Sequence, residues 1–428
     1  MERIRIKDLE YDKVSKISGF VEKLKDTKYM VFVILRDISG ETQVSIDKAT
    51  QSEMASEVLK AIEGSVVSFW GTLKKSDFVK KYGCEFLPER LHIESIAEPS
   101  PITEEANIDQ KINYRWLDLR TKKNTLIFEV QTCLVNSFRE YLLQRDFLEI
   151  HTPKLIGTAS ESGSDVFELK YFDRKAYLAQ SPQFYKQMAM ASGFDKIFEV
   201  GPVFRAEKSY TNKHTTEFTG FDLELSYIDD FYDVVKVEEE MLVYALKNVK
   251  EKYGDKIKEL YGLDVVVPDK AFPIMKLADV YKELENRYGY KVPESELGDL
   301  TTEAEKLCKN LSQDMFGSEF LVITDYSAEK RAFYHMRKDG VPQGYDLIWK
   351  GCEITTGAQR EHRFNELKAQ AEEKGLAKDV EFYMQFFKYG CPPHGGFGLG
   401  VDRLTMILLG LSIKEVMFIF RGPNRLNP

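Results

Sequence analysis

The chain contains little cysteine and no long apolar run. Its 428 residues include five cysteines, which are scattered, odd in number and without a C-x-x-C pair. This usage argues against a disulfide framework and a zinc site, so we expect packing roles for the cysteines. No run of 18 apolar residues occurs and the first residues are charged. The sequence therefore predicts neither a membrane span nor a secretory signal, and the cytoplasm is the expected location.

Two common nucleotide-binding loops are also missing. No G-x-x-x-x-G-K-[ST] segment occurs, and in the glycine-rich run GFGLGVDR at residues 396–403 the third glycine of a G-x-G-x-x-G pattern would fall on Val401. The run nevertheless places Arg403 in the first turn of an apolar helix, where backbone amides, the helix dipole and a guanidinium together favour a phosphate. A glycine-rich turn with a surface arginine is the alternative interpretation.

Two strand-like segments carry charged residues on one face. In residues 220–227 the alternation places Phe221, Leu223 and Leu225 on one face, with Asp222 and Glu224 on the other. Residues 197–207 are also strand-like, so the two segments are expected to pair antiparallel around a polar loop at 208–216. A functional polar face is one interpretation of the charges, and cross-strand salt bridges on an exposed sheet are the other.

The first hundred residues have the pattern of a small barrel. Short alternating segments at 16–24, 30–37, 41–47, 66–74 and 91–96, with a helical stretch near 52–63, fit an OB-fold, which binds single-stranded bases on its sheet. The segment EPSP at 98–101 marks a linker. The net charge of -9 does not favour broad phosphate contact, so base contacts are expected to matter as much.

Three further segments carry a family resemblance. FLEIHTP at 147–153, FRAE at 204–207 with EF at 217–218, and GLGVDR at 398–403 resemble, in order and spacing, the three signatures of class II aminoacyl-tRNA synthetases. RWLDLR at 115–120 is similar to the segment that opens the catalytic domain in the subgroup b enzymes for aspartate, asparagine and lysine. The resemblance covers nearly the whole chain and is closest to the compact aspartyl enzymes of the archaeal and eukaryotic type.

The resemblance implies an α+β protein with two domains. An N-terminal OB-fold β-barrel at residues 1–97 would bind the anticodon, a linker would follow at 98–115, and the class II catalytic domain at 116–428 would be built on an antiparallel sheet flanked by helices. Residues 255–315 are interpreted as a helical insertion without an assigned role. The family pairs two subunits through the first signature, so we expect a homodimer that contacts through residues 147–153.

The reaction implied by the family needs no protein nucleophile. An amino-acid carboxylate attacks the α-phosphate of ATP, and the 3′ end of tRNA then accepts the aminoacyl group, so catalysis rests on positioning and charge neutralisation. By resemblance the catalytic residues are Arg205, on the α-phosphate and substrate α-carboxylate, and Arg403, on the γ-phosphate. The expected ATP-binding set is Arg205, Glu207, Lys213, His214, Thr215, Phe218, Glu353, Gly400, Val401, Asp402 and Arg403.

The same resemblance supplies a magnesium site and an amino-acid pocket. Asp346, Glu353 and Thr356 match the family's magnesium-holding positions, and carboxylate and hydroxyl oxygens are ligands that Mg²⁺ prefers. A substrate carboxylate needs fixed cations, which Lys186 and Arg360 provide, so L-aspartate is the expected substrate. The expected aspartate-binding set is Glu161, Gln183, Lys186, Arg205, Asp222, Thr356 and Arg360.

The sequence also leads to expectations about tRNA recognition, and it leaves two other functions open. The resemblance places a base-stacking aromatic and three polar anticodon contacts at Phe32, Arg36, Gln43 and Glu85. It leaves open whether tRNA(Asn) is charged with aspartate in addition to tRNA(Asp). An asparaginyl-tRNA synthetase is one alternative, and a synthetase-like paralogue that only binds RNA is another. Retention of both arginines and of Glu353 argues against the second.

Overall fold

The computed structural model describes residues 1–158, 165–208 and 213–427. The chain divides into two compact units, at residues 1–117 and 118–428. The predicted residue Glu161 lies outside the described residues. Each unit has a hydrophobic core of its own, built from alternating strand residues in the first and from helix and strand faces in the second.

The first unit is a β-barrel with one helix packed on it and a short helix after it. Its strands close in the order β1-β2-β3-β5-β4. The elements are β1 (Val14–Asp26), β2 (Met30–Asp37), β3 (Gly40–Asp47), α1 (Ser52–Val58), β4 (Val66–Lys75), β5 (Cys84–Ser95) and α2 (Ile108–Asn113).

Alternation explains why these residues form a barrel. In β2, Val31, Val33 and Leu35 point into the core, and Val44 and Ile46 of β3 meet them there. The predicted strands all exist. The last one begins at residue 84 instead of 91, because the exposed Leu87, Glu89 and Arg90 hide its alternation. The helix is shorter than the predicted 52–63.

The second unit carries the remaining helices. The short α3 (Arg115–Asp118) spans the boundary between the units. The others are α4 (Lys122–Leu143), α5 (Gln183–Ala191), α6 (Phe231–Tyr261), α7 (Leu277–Tyr288), α8 (Thr302–Phe316), α9 (Phe364–Glu373), α10 (Glu381–Met384), α11 (Val401–Leu409) and α12 (Ile413–Val416).

The strands of the second unit form one large sheet and two small ones. They are β6 (Leu148–Glu149), β7 (Leu155–Ile156), β8 (Glu168–Tyr171), β9 (Arg174–Leu178), β10 (Lys196–Phe204), β11 (Glu217–Ser226), β12 (Ile274–Lys276), β13 (Phe320–Thr324), β14 (Arg337–Lys338), β15 (Val341–Pro342), β16 (Gly344–Trp349), β17 (Cys352–Gln359) and β18 (His394–Gly400).

The large sheet positions the candidate site. Within the described residues it has eight strands in the order β12-β13-β16-β17-β18-β11-β10-β6. The pairs β6–β10 and β12–β13 are parallel and the others are antiparallel, including the predicted pair β10–β11. Helices α4, α6 and α11 pack apolar faces against this sheet in the main core. The predicted α+β fold, with a barrel followed by a mostly antiparallel sheet and helices, is confirmed.

The segment 255–315 is largely helical and joins the sheet. It contains the end of α6, the edge strand β12, helix α7 and most of α8. A separate core unites Val280 and Leu284 of α7 with Cys308 and Leu311 of α8 and with Ile323 of β13. The segment is therefore packed into the second unit through its own hydrophobic contacts.

Candidate active site

A cleft of about 200 Å³ opens over the centre of the large sheet. Side chains from β10, β11, β17, β18, α5 and α11 line it, so most of its walls belong to regular elements. The predicted residues among its lining are Gln183, Lys186, Arg205, Glu207, Lys213, His214, Thr215, Phe218, Asp222, Glu353, Thr356, Arg360, Gly400, Asp402 and Arg403. Residues far apart in the sequence are thus brought to one place.

One part of the cleft combines a cation with an aromatic ring. The guanidinium of Arg205 lies 5.5 Å from the centre of the Phe218 ring. Arg205 also lies 3.7 Å from a carboxylate oxygen of Glu207, and its side chain is 46% exposed. A half-exposed guanidinium beside a partly buried aromatic ring can hold a phosphate while a flat base stacks alongside.

Arg403 stands in the first turn of α11, as predicted from the glycine run. Its Nη1 donates to the backbone oxygen of Glu353 at 3.0 Å, which ties α11 to β17. Asp402 accepts hydrogen bonds from Thr219 N and from Gln131, so its carboxylate supports the fold of the cleft wall. Val401 is buried in the core and is absent from the cleft lining, because its side chain packs beneath the helix start. Only the backbone of Val401 could contact a ligand.

The segment between β10 and β11 adds a lysine, an imidazole and a hydroxyl to the cleft. Lys213 Nζ lies 2.6 Å from Glu305 Oε2. Burial, followed by the neighbouring Arg403, lowers the pKa of His214, so the imidazole is neutral at pH 7. The hydroxyl of Thr215 donates within this wall, lying 2.7 Å from the carbonyl oxygen of Arg421.

Four buried charges form the far end of the cleft. Lys186 Nζ lies 3.1 Å from Asp222 and 3.4 Å from Glu224, and Arg360 Nε donates to Glu224 at 3.0 Å. Burial alone would raise the pKa of Glu224, but Arg360 and Lys186 outweigh it and lower the pKa below its usual value. The four charges therefore cancel one another, which stabilises them away from water.

The glycines of β18 leave room for these carboxylates. A Cβ on Gly396 would overlap the carboxylate of Glu224, and one on Gly398 would lie 2.8 Å from an oxygen of Asp222. Arg360 Nη2 also donates to the Gly396 oxygen at 2.8 Å. The sequence-based interpretation assigned this glycine run to phosphate approach. Its first part instead serves the charged pocket, and only Gly400 adjoins Arg403 and Phe218.

Two polar side chains at this end have unused hydrogen-bonding groups. Gln183 is buried, and its Nε2 has no partner among the described residues. His335, which the sequence-based reasoning did not assign to the site, is buried in the wall, and its Nδ1 has no partner in the described part of the chain. Burial, followed by Arg360, lowers the pKa of His335 well below its usual value. A buried amide donor without a partner is expected to gain one when a ligand enters.

Two carboxylates and a hydroxyl meet beside the cleft. Thr356 Oγ1 lies 2.9 Å from Asp346 and 3.3 Å from Glu353. Burial, followed by repulsion from Asp346, raises the pKa of Glu353 to about 7. Asp346 does not line the cleft, and Arg331 Nη1 donates to it at 3.0 Å. A divalent cation would relieve the repulsion, so the donor set fits Mg²⁺ shared with substrate phosphates.

The site has fewer acidic side chains than a site in which the protein supplies every metal ligand. In the three described stretches of the chain, no group of three or more His, Cys, Asp and Glu side chains is arranged to hold a metal ion. Sequence reasoning missed Arg331, the partner of Asp346, because it lies 15 residues away in a segment without a motif. The alternation of β11 did mark Glu224 as polar, but nothing in it indicated the pairing with Arg360.

In the first unit, the four predicted RNA contacts share the outer face of the barrel. Phe32 and Arg36 alternate with the core residues Val31, Val33 and Leu35 on β2. Gln43 of β3 pairs with Ile34 on the same face, and Glu85 of β5 precedes Phe86, which pairs with Val44. Arg36 is 9% exposed and donates to Glu22 at 2.7 Å. Arg36 therefore already has a carboxylate partner in the free barrel.

Family models match both units. The model described as "tRNA synthetases class II (D, K and N)" matches residues 107–420, and the model described as "OB-fold nucleic acid binding domain" matches residues 15–94. In the described residues, no helix is both long and apolar enough to cross a membrane.

Relatives match over almost the full length. The aspartate–tRNA(Asp/Asn) ligase of Aeropyrum pernix is 37% identical over 96% of this chain and 95% of its own. The aspartate–tRNA(Asp) ligase of Pyrococcus horikoshii is 37% identical over 96% of both. Asparaginyl-tRNA synthetase from P. horikoshii with asparaginyl-adenylate superimposes with a TM-score of 0.91 at 30% identity, covering all of both chains. The chain therefore belongs to the class II tRNA synthetases of the aspartate, lysine and asparagine group.

Proposed function

We propose that this chain is an aspartate–tRNA ligase. It activates L-aspartate with ATP to aspartyl-adenylate and transfers the aspartyl group to the 3′ end of tRNA(Asp). The observation that carries the proposal is the pair of buried cations, Lys186 and Arg360, at the closed end of the cleft. Both cations are paired with Asp222 and Glu224, so a substrate carboxylate gains charge-assisted hydrogen bonds from them while the substrate ammonium group pairs with Asp222. A neutral amide gains weaker hydrogen bonds from the same donors.

Asparagine is the second candidate, because the superimposed P. horikoshii enzyme with asparaginyl-adenylate has the same fold. The local charges favour aspartate. Glu224 holds Arg360 in place, while Asp222 faces the cleft and suits the substrate ammonium group. The unpartnered Nε2 of Gln183 suits the substrate α-carboxylate.

The ATP site occupies the rest of the cleft. Phe218 stacks on adenine and Glu207 accepts from its amino group, while Arg205 binds the α-phosphate and the attacking carboxylate together. Arg403, Lys213 and His214 bind the outer phosphates, with Thr215, Gly400 and the backbone of residues 401–402 shaping the wall. Asp346, Glu353 and Thr356 hold Mg²⁺, which neutralises phosphate charge when bound.

The reaction then follows from positioning. The aspartate α-carboxylate attacks the α-phosphorus and pyrophosphate leaves, after which a tRNA hydroxyl attacks the adenylate carbonyl and AMP leaves. Arg205 lowers the repulsion between carboxylate and phosphate, and Arg403 neutralises the leaving pyrophosphate. Neither step requires a protein nucleophile.

The proposal extends to the barrel and to assembly. Residues 1–97 act as the anticodon-binding domain, 98–115 as the linker and 116–428 as the catalytic domain, with 255–315 as an insertion. Phe32 stacks on an anticodon base, and Arg36, Gln43 and Glu85 add polar contacts. Two copies pair through residues 147–153, where the Leu148 side chain is exposed. Because aminoacylated tRNA is used in translation, we expect the activity in the cytoplasm.

Aminoacylation of purified tRNA(Asp) and tRNA(Asn), with labelled aspartate and labelled asparagine in parallel, tests the proposal. Aspartate on tRNA(Asp) alone identifies a discriminating ligase, and aspartate on both tRNAs identifies one that also serves tRNA(Asn). Asparagine on tRNA(Asn) alone would refute the argument from Lys186 and Arg360. No charging of either tRNA would refute the enzymatic function.

A further inference from the structure

Helix α8 delivers a buried carboxylate to the back of the cleft. The helix begins after Thr301, whose hydroxyl accepts from Ala304 N, and the next residue, Glu305, is only 8% exposed. It lies in the segment that sequence reasoning left without a role. Burying a carboxylate on a helix is unfavourable unless it is paired and hydrogen-bonded.

Both oxygens of Glu305 are used, and both partners belong to the proposed ATP site. Oε2 lies 2.6 Å from Lys213 Nζ, and Oε1 accepts from the backbone N–H of Glu353 at 2.7 Å. Glu305 itself is absent from the cleft lining. Its contacts with a ligand would therefore be made through Lys213 and Glu353.

The arrangement has a clear electrostatic effect. Lys213 shares this part of the cleft with Arg403, and two cations without a counter-charge repel each other. Glu305 supplies that charge from behind the wall. An ammonium group has three donors, so a lysine held by Glu305 can still bind a phosphate oxygen.

We propose that Glu305 is a positioning residue for the outer-phosphate side of the ATP site. It fixes the Lys213 ammonium where the β- and γ-phosphates arrive, and it fixes the start of β17 that carries Glu353. This inference rests on the proposed ATP site and gives the 255–315 segment a role in it. The helix acts as a support from which one carboxylate orients two ligand-binding groups.

The test compares the effect of a substitution on the KM for ATP with its effect on the KM for aspartate. Glu305→Gln keeps an acceptor for the Glu353 N–H and removes the charge that holds Lys213. In aspartate-dependent exchange of pyrophosphate into ATP, we expect the KM for ATP to rise about 10- to 100-fold, the range for loss of one charge-assisted hydrogen bond, with the KM for aspartate unchanged. Glu303→Gln is the matched control, because Glu303 lies on the same helix and its side chain is 56% exposed.

A double variant shows whether Glu305 acts through Lys213. Adding Glu305→Gln to Lys213→Met should raise the KM for ATP no further than Lys213→Met alone. Glu305→Asp, which keeps the charge on a shorter side chain, should restore part of the ATP affinity. Thermal melting of each variant confirms that it is folded. If Glu305→Gln does not fold, Glu305→Asp and Lys213→Met replace it in the comparison.

An unchanged KM for ATP, an equal rise in both KM values, or additive effects in the double variant would overturn the inference. The unmodified chain is measured first. Lack of aspartate-dependent exchange by that chain refutes the proposed function instead, and calorimetric binding of ATP to the same variants then decides the role of Glu305.

Discussion

A buried carboxyl group beneath the catalytic sheet gives a prediction with a calculable size. Glu238 of α6 is 1% exposed and accepts a hydrogen bond from Tyr345 at 2.5 Å through Oε2. Burial raises the pKa of Glu238 from its ordinary 4.5 to about 7 and outweighs the hydroxyls of Thr355 and Tyr345, which both lower the pKa of this carboxyl group. We expect Glu238→Gln to stabilise the protein, and to do so more at high pH.

The sign follows from proton binding. The folded carboxyl group keeps its proton to a higher pH than the unfolded one, so its ionisation penalises the fold as pH rises from 4.5 to about 7. Below this window both states are protonated and the penalty vanishes. Above it, the difference of 7 minus 4.5 pKa units corresponds to roughly 3 kcal/mol at about 1.4 kcal/mol per unit. A neutral glutamine avoids that penalty at every pH.

Paired unfolding curves at pH 5 and pH 8 measure the effect. The stability gained by Glu238→Gln should be about 2–3 kcal/mol larger at pH 8 than at pH 5, since titration of all other groups cancels between variant and parent. Glu251→Gln, at an exposed position of the same helix, is the control and should show no such difference. An equal gain at both pH values, or a loss at pH 8, would contradict the burial argument.

Two substitutions in the cleft test the assigned roles. Arg403→Ala should abolish adenylate formation in pyrophosphate exchange and leave tRNA binding nearly intact, because Arg403 acts on the leaving phosphates; a normal exchange rate would exclude that role. Lys186→Met should destabilise the fold by about 3–5 kcal/mol, because it removes a buried cation from Asp222 and Glu224. It should also raise the KM for aspartate far more than that for ATP, and a normal KM for aspartate would show that Lys186 does not bind the substrate.

Local sequence patterns predict much of the fold. Strands β2 and β3 end where alternation predicted. The polar face of β11 is buried, with Asp222 lining the cleft, instead of lying on an exposed sheet. A period of two is unambiguous where one face packs into a core. The start of β5 was missed because its exposed charged residues interrupt the alternation of polar and apolar side chains. Helix α1 was predicted too long, because helix propensity does not locate the end of a helix.

The parts of the site that escaped prediction depend on contacts between distant residues. Arg331 meets Asp346, and Glu305 meets both Lys213 and Glu353, across separations of up to 92 residues. No motif surrounds Arg331 or Glu305. Strand order and helix packing bring these two residues to the site, and local periodicity determines neither.

The glycine run shows how one pattern can serve two kinds of chemistry. Sequence reasoning joined the glycines of residues 396–400 to the arginine that follows and interpreted them as a phosphate site, with a plain glycine-rich turn as the alternative. Pairing of β18 with β11 places Gly396 opposite Glu224 and Gly398 opposite Asp222, at separations too short for any side chain. The same strand therefore leaves room for the buried charges at one end and starts the Arg403 helix at the other. In the proposed function aspartate and ATP meet at this strand, and its glycines let both substrates approach the same backbone.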